Sequence, residues 1–571
     1  MFENKSKLTP LERFWGLIHP DRKEIKNVYI YAIFSGIVNL SLPLGIQAII
    51  NLIQGAQINS SWIILVFLVT LGVAFNGLLN IFQLRIVENL QQKIFTKAAI
   101  EFAYRIPRIK MEQWQKKYAP ELMNRFFDIV TIQKGLSTML IDFSTSSLQI
   151  IFGLILLSFY HPFFIIFSLL LIVLIGLIFR LTAKKGLETS INESTYKYKT
   201  VHWLEEVART TLTFKLSGDS TLPLKNTDKV TSKYLEARES HFQILLKQYG
   251  LMVAFKVMMT LGLLAIGGIL VMEQEMNIGQ FVAAEIIILM LMNSIEKLIR
   301  SLETIYDVLT GLEKVGAVTD LDLEKSEGMD MEKDCSECGM KIELVDFNFR
   351  YPGDQKIILK AINLEIENGA LVTITGKNGS GKSTLLRVLA GLYESEDGQI
   401  LLDNINKNSF SFESLRSAIG DYLSQEELFE GTLKENLCMG KDIHFEEMQK
   451  ICHNIKLTPY IKSLKDGYDT MLDPQGKRLS DNIVQKILLS RAILNSKKLL
   501  LIEDSLEAID RNEKIEIIDY IIKNEKKLTI VIVTKNDYFI SKANQIIHLD
   551  EGKIAFNGSH NDYLKFLNQD A

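Results

Sequence analysis

Gly376-Lys377-Asn378-Gly379-Ser380-Gly381-Lys382-Ser383 fits G-x-x-x-x-G-K-[ST], the pattern of a phosphate-binding loop. Its glycines let the backbone curl until successive N–H groups face one point, where phosphate oxygens sit. Lys382 is placed to reach the β- and γ-phosphates, and the Ser383 hydroxyl to hold Mg²⁺. Upstream, the apolar run Ala370 to Thr375 has the length of a strand. Downstream, Leu385, Leu386, Val388 and Leu389 mark the buried face of a helix expected over 384–392. The positive N-terminal end of that helix, opened by Thr384, points at the same oxygens. Strand, loop and helix in this order predict an α/β nucleotide-binding domain.

Working outward, 571 residues are too many for one ordinary domain. The 47% hydrophobic content is unevenly spread: long apolar runs fill the first half, and the rest reads as a water-soluble α/β domain. A net charge of -4 gives no reason to expect nucleic acid. Four cysteines make no disulfide framework. Cys335 and Cys338 form one isolated C-x-x-C with no second pair at metal spacing, so ordinary reduced thiols are expected. The first apolar segment is longer than a signal-peptide core and has no small-residue cleavage site, so an uncleaved first span is expected.

Six apolar segments have membrane-crossing length: 27–52, 61–84, 138–160, 162–181, 249–272 and 279–297. Their connections alternate between very short and very long. The short ones carry no Lys or Arg, whereas 85–137 and 182–248 each carry about ten basic residues. By the positive-inside rule, both termini and both long loops are cytoplasmic. The long loops keep helical periodicity, with Ile94, Ala98 and Phe102 before Pro107 and Leu122, Phe126, Ile129 and Val130 after Pro120. Spanning helices that continue into the cytoplasm are therefore expected. Lys256 and Glu285 lie inside spans; a substrate path, an inter-helix contact or, for Lys256, snorkelling would each account for them. Gln47 and Gln149 read as helix-packing contacts.

Six spans, two long cytoplasmic loops and one phosphate-loop domain together resemble an ATP-binding cassette (ABC) exporter half. Other stretches share the likeness. Tyr351 sits 25 residues before Gly376, where the family stacks an aromatic ring on adenine. Tyr422-Leu423-Ser424-Gln425, with Asn436 downstream, resembles the family's glutamine loop, in which Gln425 would touch Mg²⁺ and the attacking water. Ala119 to Asp128 resembles the stretch after an exporter coupling helix, and Ile278-Gly279-Gln280 is similar to the start of the sixth span. The type I secretion and multidrug or lipid exporter branch is the most similar. The N-terminal peptidase domain that some of those members carry is not expected here.

Other family motifs are altered. Where the family has Leu-Ser-Gly-Gly-Gln facing the γ-phosphate of the opposite subunit, this chain has Leu479-Ser480-Asp481-Asn482-Ile483. Ser480 is retained as a nucleotide contact. Asp481 either faces phosphate, at a cost on the order of a few kcal/mol, or caps its own helix. After the strand Lys498 to Ile502, counting back from Asp510 puts Glu503 in the metal position and Asp504 in the catalytic one. A one-residue slide would put Asp504 on the metal and Ser505 in the base position. Neither register leaves a catalytic glutamate. Lys535 stands at the family's switch histidine, where it either draws phosphate as a point charge or is a solvated surface lysine.

The resemblance implies an all-α six-helix transmembrane domain followed by an α/β P-loop NTPase (ABC cassette) domain. The expected divisions are a segment 1–26, membrane domain 27–310, linker 311–340 and cassette 341–571. The cofactors implied are ATP and Mg²⁺. Nucleotide contacts would come from Tyr351, Gly376 to Thr384, Gln425 and Ser480. Ser383, Gln425 and Glu503 would hold the metal, and Lys382, Asp504 and Lys535 would be the catalytic candidates. The chain is expected in the plasma (inner) membrane, its cassette cytoplasmic, as a homodimer or heterodimer; a periplasmic adaptor is an open partner. Segments 109–120 and 207–217 would couple cassette closure to the spans. Slow hydrolysis with export is the leading reading, and a nucleotide-sensing regulatory or scaffold subunit the alternative.

Overall fold

The computed structural model describes residues 8–54, 60–115, 117–331, 339–394, 397–424, 426–503, 506–523 and 528–570. It divides into two units, Met1–Arg108 with Lys116–Leu321, and Ile109–Gln115 with Asp322–Ala571. Cys335 and Cys338 lie outside the described residues.

The first unit is helical. Six helical stretches are long and apolar enough to cross a membrane: Pro10–Gln54, Ser60–Arg108, Ala119–Ser158, Pro162–Arg209, Leu222–Met272 and Ile278–Thr319. Each contains one of the apolar segments read from sequence, except that the third stretch ends at Ser158, two residues short of the expected 160. Only 6% of the most apolar window of Ser60–Arg108 is buried, with Phe67 and Leu71 on its surface. A helix face that is both apolar and exposed is stable only against hydrocarbon. The helices outrun the bilayer. At 48 residues, Pro162–Arg209 is about 72 Å long against a hydrocarbon core of about 30 Å. Its buried Ser190 and Tyr198 continue the packing beyond the apolar part, where Tyr198 bonds Asp128 at 2.6 Å. Single π turns interrupt the third and fifth spans at Thr138–Phe143 and Leu263–Gly267.

Polar side chains inside the spans pair with one another. Lys256 forms an ion pair with Glu296 of the sixth span. Gln47 accepts a hydrogen bond from Tyr160 at 2.7 Å, and Gln149 accepts one from Ser294 at 2.8 Å. Glu285 is half-buried.

The second unit is the α/β domain. Its core sheet has strands in the order Lys553–Gly558, Gln545–Asp550, Leu371–Gly376, Thr529–Val533, Leu499–Glu503 and Ile419–Tyr422. All pairings are parallel except that of the first two. The central strands are buried along nearly their full length, as expected for parallel strands covered on both faces. A four-stranded antiparallel sheet adds Ile342–Arg350, Ile357–Ile366, Asp397–Leu402 and Ile405–Asn406. Val533 pairs with both Ile374 and Glu503. The loops after three adjacent strands thus leave the same carboxyl edge, where open α/β sheets bind ligands.

Lys407 is 2% exposed inside this unit, and its ammonium donates to the carbonyl oxygens of Val388 at 3.2 Å and Tyr393 at 2.9 Å. Burial is the main cause that pulls its pKa down to about 8. The folded protein therefore holds fewer protons than the unfolded chain between pH 8 and the lysine's ordinary value. Stability should rise with pH through that window, by on the order of 3 kcal/mol from this residue. Thermal unfolding of the full chain, followed by a thiol dye reacting with the buried Cys438 and Cys452, should show the rise. Lys407→Met should flatten it; an unchanged slope in that variant would remove Lys407 as its cause.

Candidate functional site

The phosphate loop takes the conformation its sequence demands. Gly376, Gly379 and Gly381 have φ of 136°, 81° and 102°. A Cβ on Gly376 would lie 2.1 Å from the Leu549 carbonyl oxygen, and one on Gly381 would lie 2.8 Å from Leu359. Only glycine meets both conditions at these positions. The helix after the loop runs Lys382–Leu389 with left-handed Gly381 as its N-cap. It starts two residues before the expected 384 and stops before 392, because Gly391 turns left-handed at φ 72°. Leu385, Leu386, Val388 and Leu389 are buried as expected.

Two acidic registers were open at the end of the strand Leu499–Glu503, and the backbone brings Glu503 to the loop. Ser383 Oγ donates to Glu503 Oε1 at 2.5 Å, and the Ser424 amide donates to Glu503 Oε2 at 3.1 Å. Burial works to raise the Glu503 pKa, but these donors outweigh it and hold the carboxyl below its ordinary value. It is an anion at neutral pH. Ser424 is a contact that sequence reading missed, since a backbone donor leaves no side-chain signature. Gln425 and Asp504 lie outside the described residues.

Lys382 folds back, donating to the carbonyl oxygens of Gly376 at 2.9 Å and Lys377 at 2.7 Å. Its pKa is lowered, first by burial and then by the neighbouring Lys535. Lys535 donates to Asn378 Oδ1 at 3.2 Å, so the lysine at the switch position reaches the loop itself. Tyr351 bonds Thr384 across 3.1 Å between hydroxyls. Its ring meets Phe349 edge-on at 5.2 Å and Tyr393 at 5.4 Å. Phosphate-loop contacts from Tyr351, Thr384, Asn378, Lys382, Ser383, Glu503 and Lys535 therefore converge on one site.

Ser480 does not join them. It is the exposed N-cap of the helix Asp481–Asn495, and no hydrogen bond links it to the phosphate loop among the described residues. The sequence allowed Asp481 to cap that helix; instead Ser480 takes the extended N-cap backbone, φ -71° and ψ 150°, and Asp481 is the first helical residue. An acid there still favours the positive helix end. Along the same helix, Arg491 donates to the carbonyl oxygens of Asn436 at 2.7 Å and Glu427 at 3.2 Å. Asn436 in turn holds Phe429 at 2.9 Å. The stretch after the glutamine loop is thus fastened to this helix.

These residues fit a nucleotide with a hard cation. The Ser380 hydroxyl oxygen is buried without a hydrogen-bond partner among the described residues, inside the curl of the loop. Ser383 and Glu503 offer hydroxyl and carboxylate oxygens side by side, the donor chemistry Mg²⁺ prefers.

A glycine-rich phosphate loop at the carboxyl edge of a parallel sheet, with an acid from a neighbouring strand on its serine, defines a P-loop nucleotide-binding domain. Here it shares a chain with six membrane-length helices. The family model for the ABC transporter transmembrane region matches residues 27–295, and a second model, described as ABC transporter, matches residues 359–506. The chain belongs to the ABC transporters. It is 24% identical over 581 aligned residues to the transport/processing ATP-binding protein ComA of Streptococcus pneumoniae, covering 98% of this chain and 78% of that protein. It is 29% identical to the alpha-hemolysin translocation ATP-binding protein HlyB of Escherichia coli O157:H7, over 56% of this chain and 44% of HlyB, less than half of that protein's length. A bacterial Atm1-family ABC exporter solved with ATP bound shares the fold, with a TM-score of 0.81 and 17% identity over 96% of this chain and 98% of that one.

Proposed function

We propose that this chain is a half-transporter of an ABC exporter, which binds ATP with Mg²⁺ and hydrolyses it slowly. The observation that carries this reading is the Ser383–Glu503–Ser424 constellation under an intact phosphate loop. Ser383, Glu503 and Gln425 would hold the cation, which would neutralise charge between the β- and γ-phosphate oxygens. Lys382 would exchange its loop carbonyls for phosphate oxygens, and Lys535 would offer a second cation beside Asn378. Tyr351 would support the adenine.

Slow hydrolysis follows from three residues of the altered motifs. Asp504 is one methylene shorter than the family's glutamate and holds an attacking water poorly. Lys535 stands where the family has a histidine, the side chain suited to exchange a proton near neutral pH. Asp481 adds negative charge where a second chain's γ-phosphate would approach. A dimer, of this chain with itself or with another ABC half-transporter, would place the helix at Ser480 against the partner's nucleotide. The basic loops support an inner-membrane orientation with both termini and the cassette cytoplasmic. The name of HlyB, an alpha-hemolysin translocation protein, supports export of a hemolysin-like cargo; the 31% identity to the ATP-dependent lipid A-core flippase of Hahella chejuensis, over 39% of each chain, supports a lipid equally. The substrate is left open.

The test is ATP turnover by the purified full chain in lipid, beside nucleotide binding. The expected result is tight binding with turnover below about one per second, raised about tenfold by Asp504→Glu. Turnover of many per second, unchanged by Asp504→Asn, would overturn the slow-hydrolysis reading.

A further inference from the structure

We propose that the cleft beneath the last helix, His560–Asp570, is a second ligand site, built for a flat heteroaromatic ring joined through a polyol or sugar to a single phosphate. The cleft holds about 980 Å³, within the size range of small-molecule sites. Its floor is the end of the strand Leu371–Gly376 with its neighbour Gln545–Asp550, and its walls are the helices Asp537–Lys542 and His560–Asp570. It touches the phosphate loop at Gly376 and Lys377, whereas Lys382, Ser383 and Glu503 do not line it. ATP and a second ligand can therefore be bound together.

The inner end of the cleft is preformed and flat. The hydroxyl of Thr375, the residue before the loop, lies 3.0 Å from His548 Nδ1 and 3.1 Å from the Tyr563 hydroxyl. That phenol lies 3.3 Å from the same nitrogen. Side chains from two strands and the last helix thus hold one another, and a bound molecule need not reorganise them. The Phe566 ring continues this corner. Its centroid lies 5.3 Å from that of Phe556 and 6.3 Å from that of Tyr563, with planes inclined by 28° and 22°. A further flat ring entering the cleft extends the stack. One nitrogen is left over: His560 Nδ1, in the same cleft, is buried without a hydrogen-bond partner among the described residues. A buried polar atom in that condition costs about 1–3 kcal/mol, and the polar edge of a heterocycle would relieve it.

The outer end is charged. At the carboxyl edge of the sheet, Lys377, Lys535, Asp537 and Asp550 line the cleft and are exposed. Two ammonium groups suit a phosphate. The two carboxylates would repel it, and accept instead from hydroxyls lying between ring and phosphate. Ring inward, hydroxyls and phosphate outward is the arrangement that gives every one of these groups a partner.

Flavin mononucleotide has the ring, the polyol and the phosphate, and its fluorescence is quenched when the ring stacks on an aromatic side chain. Titrated with the full chain in phospholipid nanodiscs, it should be quenched saturably, and should stay bound in saturating Mg-ATP. Riboflavin, which lacks the phosphate, should bind about tenfold more weakly. Phe566→Leu, which removes the stacking ring, should weaken binding of the mononucleotide about tenfold. Leu564→Glu should do the same by adding a negative charge to the cleft wall, at a position 47% exposed where the fold tolerates the change. ATP binding retained in both variants shows that the domain is folded; where Phe566→Leu loses it, Leu564→Glu decides. Quenching no greater than with empty nanodiscs, equal binding of riboflavin, full displacement by Mg-ATP, or unchanged affinity in Leu564→Glu would each overturn the proposal, while leaving the ATP reading untouched.

Discussion

Lys382→Met is expected to weaken ATP binding by about a hundredfold. The ammonium is the cation that the G-x-x-x-x-G-K-[ST] pattern specifies, and it would donate two charge-assisted bonds to phosphate, each worth about 1.5–3 kcal/mol. The folded domain should tolerate the change. Lys382 now bonds the carbonyls of Gly376 and Lys377, and Lys377 lies at an exposed position where water can replace the lost donor. Methionine keeps the length of the stem. Binding of ATP to the purified full chain, read by calorimetry, checks the prediction. A change of less than about threefold would mean that the loop does not hold phosphate through this lysine.

Glu503→Gln should lower Mg²⁺-dependent ATP turnover by two orders of magnitude or more while leaving metal-free ATP binding nearly unchanged. Among the described residues the carboxylate is the one anion bonded to Ser383, and a hard cation held between hydroxyl and carboxylate loses most of its attraction when the charge goes. Glutamine retains an oxygen for one of the two donors, so the fold of the strand end is kept. The pH profile should follow the direction of the Glu503 shift. Because its folded pKa lies below the ordinary value, the ionised form persists as the pH falls through the usual carboxylate range, and its contribution is lost only below that range. Turnover that keeps its Mg²⁺ dependence in the variant would assign the metal to another residue.

Much of this molecule is written in local sequence. The phosphate loop is legible because its glycine positions admit almost no other residue, as the contact a Gly376 side chain would make with Leu549 shows. The six spans are legible because lipid solvation demands long uninterrupted apolar runs, and nothing in a folded soluble core does. Contacts between distant residues are not legible in this way. The sequence displayed Lys256 inside a span but gave no reason to choose Glu296, 40 residues away, as its partner. Lys407 looked like any polar surface residue, and only the fold buries it against the end of the phosphate-loop helix. Glu394 carried no signal, because its partners Lys110 and Glu112 lie in Ile109–Gln115, which returns to a unit more than two hundred residues further along the chain. At Ser480 and Asp481, two residues both suited to cap a helix stood side by side, and backbone geometry made the choice.

The π turns give the helical unit an uneven stiffness. The second, fourth and sixth spans run without a break over 46, 48 and 42 residues, as Ser60–Arg105, Pro162–Arg209 and Ile278–Thr319. The third and fifth each carry one wide turn, at Thr138–Phe143 and Leu263–Gly267. An unbroken helix behaves as a rod, and tilting one about 72 Å long by about ten degrees carries its far end roughly 12 Å. A wide turn is where a helix can bend or slip its register without breaking. The scaffold is therefore built of stiff struts alternating with jointed ones, and any large displacement would be transmitted by the former and absorbed by the latter.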